Sequence, residues 1–322
     1  MTQTPVPTAA DEAARSARVG LLLGIGAYGM WGFFPLFFPL LEPASALEIL
    51  ADRFLFSLVF MALLLTLTRT WSRLRPVLPD RRRMLLLLAA SALIGVNWGL
   101  YIWGVNNGHV VEGSLGYFIN PLVLVLMGVV VLGERLRRLQ WVAVGIAAVA
   151  VVVLTLGYGK LPWLALSLAF SFAGYGLVKK VAGVDPQAAL TIETAYATPF
   201  ALAYLVLLGT QGTLTFGHSS GGNTALLVLT GAVTAIPLLM FGGAANRIPL
   251  STVGLLQYLT PVIQFVIGVW VVGEQMPPAR WAGFAVVWVA LAVFTIDLLR
   301  HSRSARMTAA QVTGIDEVEA PV

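Results

Sequence analysis

The chain has 322 residues, of which 58% are hydrophobic and only 11% charged, with a mean hydropathy of +0.85; soluble chains carry about 45–50% and about 25%, so the polar residues cannot cover a water-soluble fold of this size and the solvent must be lipid. Zero cysteines exclude disulfides, thiolate metal sites and cysteine nucleophiles, and three histidines leave no room for a histidine-rich metal centre. The formal charge of +5 does not point to nucleic acid, because the cations sit in short bursts between apolar runs, as membrane topology signals do.

Ten membrane-spanning helices are predicted, with approximate bounds 20–40, 46–68, 84–104, 111–132, 139–157, 161–180, 188–208, 224–245, 250–272 and 280–299. Each is near the ~20 residues a helix needs to cross ~30 Å of hydrocarbon, whereas barrel strands would read as ~10 alternating residues. Residues 1–18 are polar or small and the first run is followed by further spans, which argues against a cleaved signal peptide. Residues 1–18 and 301–322 are expected to be disordered tails.

Glycines in span one (Gly24, Gly26, Gly29, Gly32), span six (Gly174, Gly176) and span eight (Gly242, Gly243) suit close packing of thin helix faces. Span two carries a charge at depth, Arg53. Placing a charge at the centre of a span costs at least about 2.5–3.5 kcal/mol, so Arg53 is a candidate for substrate binding or coupling, against an architectural ion pair or snorkelling outward. Asp52 is adjacent on a face about 100° away, and Glu48 precedes both by about one turn, so either carboxylate is a candidate counterion. In span three, Asn97, Trp98 and Tyr101 share a face, with Asn106 beyond them. An unpaired buried amide costs about 1–3 kcal/mol, so this face meets protein or water rather than lipid. It reads either as helix–helix adhesion or as an amphipathic wall of a substrate cavity.

Span four holds Glu112, Tyr117, Asn120 and Pro121. Pro121 lacks an amide donor and clashes with the carbonyl four residues back, which predicts a kinked or opened turn around Tyr117. Pro261 repeats this in span nine, with Gln257 four residues before it, Tyr258 beside that and Gln264 three residues on. The two prolines are candidate gating elements flanked by candidate binding groups, or simply packing kinks. Glu112 is expected to be a solvated carboxylate at the outer mouth. Glu193, in the first turns of span seven, is the leading candidate for proton coupling, ahead of Glu48, Asp52 and Glu112. Asp297 is expected at a membrane boundary.

Under this segmentation 17 Lys and Arg fall on one side, in the bursts at 15–18, 69–83, 135–138, 179–180, 247 and 300–306, against Lys160 and Arg280 on the other. The positive side is cytoplasmic, which predicts cytoplasmic termini and an even helix number. An internal repeat lies at an offset of 140 residues: SLGYFINPLVLVLMGVVVLGERLRRLQW (114–141) aligns with GLLQYLTPVIQFVIGVWVVGEQMPPARW (254–281), matching Pro121 with Pro261, Gly133 with Gly273, Glu134 with Glu274 and Trp141 with Trp281. Five helices per unit is odd, so the halves, 19–157 and 158–299, should enter the membrane in opposite directions, with Glu134 cytoplasmic and Glu274 external. Inverted repeats are the usual architecture of alternating-access carriers.

The segments YGMWGFFP (28–35), NWGLYIWGVNNGHVVEGSLGYFINPL (97–122), GERLRRLQW (133–141), the YGLVKK end of span six and TAIPLLMFGGAANRIPLSTVGLLQYLTP (234–261) resemble the RarD proteins over roughly residues 20–298. These are bacterial inner-membrane permeases of the EamA branch in the drug/metabolite transporter superfamily. The resemblance implies a ten-helix carrier with two inverted EamA repeats and cytoplasmic ends. The family name refers to chloramphenicol sensitivity and assigns no substrate. The family often has His before the arginine of span two, where this chain has Asp52, so a local Asp52–Arg53 pair is one way to neutralise the site here.

No phosphate-binding GxxxxGK[ST] loop, HExxH or zinc spacing occurs, and no nucleophile set is formed. The expectation is therefore a secondary carrier, not an enzyme, moving a small organic metabolite or amphiphilic drug-like solute, with coupling to protons or, as the alternative, by uniport. The alternative is a non-transporting scaffold or receptor, or a channel. No cofactor, metal or nucleic acid is implied; the partners are a small-molecule substrate and the lipid bilayer, with room for a homodimer.

Overall fold

The computed structural model describes residues 9–133 and 135–316. They form α1 (Ala9–Gly32), α2 (Phe34–Phe37) running into a 3-10 turn (Phe38–Leu41), α3 (Ala46–Leu67), α4 (Arg81–Asn106), α5 (Val110–Leu132), α6 (Arg138–Tyr158), α7 (Trp163–Ala182), α8 (Pro186–Gln211), α9 (Gly221–Ala245), α10 (Leu250–Leu256), α11 (Leu259–Val266) running into a π turn (Ile267–Val271), and α12 (Pro278–Asp316). Among the described residues nine helices are long and apolar enough to cross a membrane, or ten if one bent pair is a single span. The molecule is an all-α polytopic membrane protein. Glu134, and with it the expected position of that carboxylate, lies outside the described residues.

Two expectations are corrected. Residues 9–18 and 301–316 were expected in disordered tails, but α1 begins at Ala9 and α12 continues to Asp316. Neither stretch contains a proline or glycine cluster to stop a helix that an apolar span has already nucleated, Gly314 being a lone glycine. The matched prolines also differ in effect. In span nine the chain breaks at Gln257–Tyr258, where Pro261 displaces the carbonyl of Gln257. By contrast α5 stays helical through Pro121. There the turn is held against α7: Gly116 lies so close to it that a Cβ would be 2.6 Å from the Ala165 carbonyl oxygen, and the Asn120 amide donates to the Ala169 carbonyl at 3.3 Å.

Helix starts follow local chemistry. The Ser45 hydroxyl accepts from the Glu48 amide, Asp80 from the Arg83 amide, Asp185 from the Gln187 and Ala188 amides, and Ser220 from the Asn223 amide, each meeting donors that the first turn leaves without a partner. α7 and α8 end at Gly183 and Gly212, both with positive φ, a conformation that glycine adopts without a Cβ penalty. In the first span Pro35 and Pro39 interrupt the ladder, and the segments Ala14–Gly32 and Phe34–Leu41 meet at 43°.

The packing has a paired pattern. α1 lies against α9 and α11, while α7 lies against α4 and α5; α3 packs on α8 and α6 on α12. α3 also packs on α9, and the contact is close because Gly231 of α9 abuts the Phe56 backbone of α3. One aromatic core joins α5, α11 and α12 through Phe118, Phe265, Phe284 and Trp288, with the Phe265 and Phe284 rings 4.8 Å apart. Leu67, Val130, Leu156 and Phe200 are exposed, as befits side chains facing hydrocarbon.

Candidate functional site

The bend in the first span positions the site. It carries Phe34 and Phe38, four residues apart on one helical face, over Arg53 of α3, whose guanidinium carbon lies 5.3 and 5.7 Å from their ring centroids and 3.9 Å from that of Trp98 on α4. Arg53 is 3% exposed. Its Nε donates to the Thr234 hydroxyl of α9 at 2.7 Å, and that hydroxyl donates to the Thr230 carbonyl, which fixes the acceptor in place. Nη1 is buried without a partner. Among the described residues no carboxylate lies within 4.0 Å of this guanidinium.

Tyr101 and Tyr117 extend the aromatic wall. The Phe38 and Tyr101 rings are 6.1 Å apart, Tyr101 and Tyr117 5.4 Å, and Tyr117 and Phe172 of α7 5.8 Å. The Tyr101 hydroxyl is buried and unpartnered, whereas the Tyr117 hydroxyl donates to Asn97 Oδ1 at 3.1 Å. Asn97 itself donates to the Leu168 carbonyl and the Ser171 hydroxyl, both at 3.1 Å, so it ties α4, α5 and α7 together. Its acceptor and donor sides are both engaged by protein groups at the edge of the wall.

The second-half candidates lie elsewhere. Gln257 donates to Asn120 Oδ1 at 3.4 Å, bridging the break in span nine to α5. Gln264 donates to the Trp31 carbonyl at 3.1 Å, with Oε1 buried and unpartnered, and Tyr258 packs half-buried against the α5–α11–α12 core. The structure thus brings together Arg53, Trp98, Tyr101 and Tyr117 with Asn97, and leaves Gln264 and Tyr258 on other contacts.

Glu48, Glu112 and Asp52 depart from expectation. Glu48 is not a counterion to Arg53: it accepts from the Thr215 and Phe216 amides at 2.7 and 3.0 Å, in the loop before α9. Glu112 is buried rather than solvated, because it accepts from the Leu164 amide at 3.1 Å in the first turn of α7, where helix geometry leaves donors open. Glu193, 1% exposed, accepts from the Lys179 ammonium at 2.7 Å and the Tyr175 hydroxyl at 3.1 Å. Asp52 alone of the four is buried with neither oxygen partnered; it makes no local pair with Arg53. Asp297, expected at a membrane boundary, is gripped by Arg137 through two nitrogens. Glu274, outside the spans, accepts from the Val110 and Val111 amides at the start of α5; burial pushes its carboxyl above the usual carboxylate range, and those two amides pull it back.

Phe34, Phe38, Thr234, Tyr175 and the pairing of Lys179 were not singled out by the sequence. The spacing of Phe34 and Phe38 around Pro35 was the available signal for the first two.

The model of the EamA-like transporter family matches residues 18–156 and again 160–296. Protein RarD of Streptomyces exfoliatus is 56% identical over 92% of this chain and 94% of its own length, and Protein RarD of Salmonella typhi 43% identical over 90% and 99%. The chain belongs to the RarD group of the EamA transporter family. As a family member it is a multi-pass permease of the bacterial inner membrane, a secondary transporter of small molecules within the drug/metabolite transporter superfamily, and not an enzyme. A crystal structure covering 87% of this chain and 98% of its own aligns with a TM-score of 0.57 at 18% identity, a likeness of fold alone.

Proposed function

We propose that this transporter is a ten-span, alternating-access carrier of a small organic metabolite or amphiphilic drug-like solute, coupled to protons. Its halves are residues 19–157 and 158–299, entered in opposite directions, with flanking segments 1–18 and 300–322 on the cytoplasmic side. The observation that carries the reading is the buried Arg53 guanidinium, walled by aromatic rings from two helical segments and left with a free donor. A charge at such depth without a protein counterion marks a solute pathway rather than a fold-stabilising contact. Two consecutive matches to one family model and the paired packing of α1 and α7 support the repeat.

Uptake and efflux by proteoliposomes from a broad metabolite mixture, with and without a pH gradient, test the carrier. Saturable, counterflow-competent flux is expected; a conductance that never saturates would replace the carrier by a channel. Orientation has its own test in this cysteine-free chain. Single cysteines at Ser45, Lys160 and Ser219 should react with an impermeant maleimide on intact cells, and Arg75→Cys should not. Labelling at position 75 would overturn the orientation.

A further inference from the structure

We propose that the Arg53 site selects solutes bearing one carboxylate on an apolar body. The inference rests on the carrier reading and adds the chemistry of the cargo.

The head of the solute follows from the guanidinium. One edge of its fork is committed to Thr234, Nη1 is buried and unsatisfied, and the Tyr101 hydroxyl, on the same aromatic wall, is a second buried group without a partner. Arg53 stays cationic, so what meets it should carry a negative charge and accept hydrogen bonds, and a carboxylate matches the planar fork. The nearby carboxylates do not supply that charge: Glu48 is held by two backbone amides, and Asp52 makes no ion pair with Arg53. With a single guanidinium in the box, one negative charge is neutralised and a second would be buried unpaired, which is costly.

The body of the solute follows from the space beside the head. An apolar groove of about 440 Å³, open on its outer side where Phe33 is exposed, runs between α1, the α2 segment and α9, lined by Gly29, Met30, Phe33, Phe34, Phe37 and Val233 among others. It offers no charged side chain. The Phe34 ring belongs to both places, lining the groove and lying 5.3 Å from the guanidinium carbon, while Val233 adjoins Thr234. A carboxylate seated on Arg53 therefore has an open apolar groove on the far side of one aromatic ring, that of Phe34. Amphiphilic monoacids fit that division; neutral amides of the same shape lack the charge, and amines would bring like charge to Arg53.

The test uses the full chain in phosphatidylethanolamine–phosphatidylglycerol nanodiscs, with benzoate, 4-phenylbutyrate and octanoate as probes and their primary amides as matched controls. At least one acid should bind, and bind tenfold or more tightly than its amide. Arg53→Gln should abolish that preference, and Tyr101→Phe should weaken acid binding about threefold to tenfold, the loss of one hydrogen bond. Equal binding of acid and amide, or no acid binding at all, overturns the proposal, as does undiminished acid binding in monodisperse Arg53→Gln. If that variant does not fold, Tyr101→Phe decides: it strands no partner, and unchanged acid affinity overturns the proposal. Counterflow separates the two readings. Saturable flux of neutral or cationic solutes without acid binding sinks the monoacid and keeps the carrier, whereas acid binding without flux of any solute supports the site and removes the carrier.

Discussion

Gly231→Ala is expected to prevent α3 and α9 from closing on each other, with loss of monodisperse protein. In a helix this change alone gains about 0.8–1 kcal/mol of propensity, so the intrinsic effect points the other way. Steric overlap decides it. A Cβ at Gly231 would fall on the Phe56 carbonyl group, which is helix backbone and cannot rotate aside as a side chain can. Relief requires the two helices to part, and that also stretches the 2.7 Å bond from Arg53 on α3 to Thr234 on α9. Overpacking typically costs about 1–3 kcal/mol, and an obstruction by backbone belongs at the upper end. Gly145 of α6 is the control: a Cβ there meets nothing within 4 Å, and Gly145→Ala should be neutral or slightly stabilising. Size-exclusion profiles of detergent-solubilised variants, at matched expression, measure the difference. A Gly231→Ala protein as monodisperse and heat-stable as the parent would show that this contact is not close in the membrane.

The spans were legible because membrane thickness imposes a length and a polarity that any stretch of sequence displays locally. Helices α3 to α9 begin and end close to the bounds set by hydropathy, and the caps at Ser45, Asp80, Asp185 and Ser220 account for four of the starts. The depth of Arg53 was readable for the same reason. Its partner was not, since Thr234 lies 181 residues further on, and Glu48 meets Thr215 across 167. Spacing along a helix constrains neighbours within two turns and says nothing of which distant amide a carboxylate will meet. Depth and local spacing are all that the sequence offers for Glu48, Glu112 and Glu193, and each is held by a partner from another segment. The two prolines show a second limit. Pro121 and Pro261 carry the same local signal, yet only the second coincides with a break, because the packing around Pro121 restrains a turn that the sequence alone leaves free.

Asp52→Asn is expected to uncouple transport from the proton gradient while leaving solute exchange intact. A coupling carboxylate must gain and lose a proton in each cycle without losing the fold, and the four candidates differ in what protonation would break. At Glu48 it would weaken two backbone contacts that hold the loop before α9, and at Glu112 the one at the start of α7. At Glu193 it would take the partner from the Lys179 ammonium, which is only partly exposed, and loosen the pair that ties α7 to α8. Asp52 is 0% exposed with both oxygens unpartnered, so a proton arriving there breaks no bond and removes an uncompensated buried charge. Its position next to Arg53 puts the proton and the proposed solute site on the same helix, α3. Asparagine has the shape of the protonated acid but cannot release the proton, so the variant should exchange solute down its gradient near the parent rate while gradient-driven accumulation falls at least about tenfold, the effect of roughly 1.4 kcal/mol of lost driving force. Glu193→Gln should behave differently, lowering thermal stability, with Lys179→Met in the same chain restoring part of it. Proteoliposomes loaded at one pH and diluted into another measure both quantities on one preparation. Full accumulation by Asp52→Asn, or its loss in a stable Glu193→Gln protein, would return the coupling role to the Lys179–Glu193 pair.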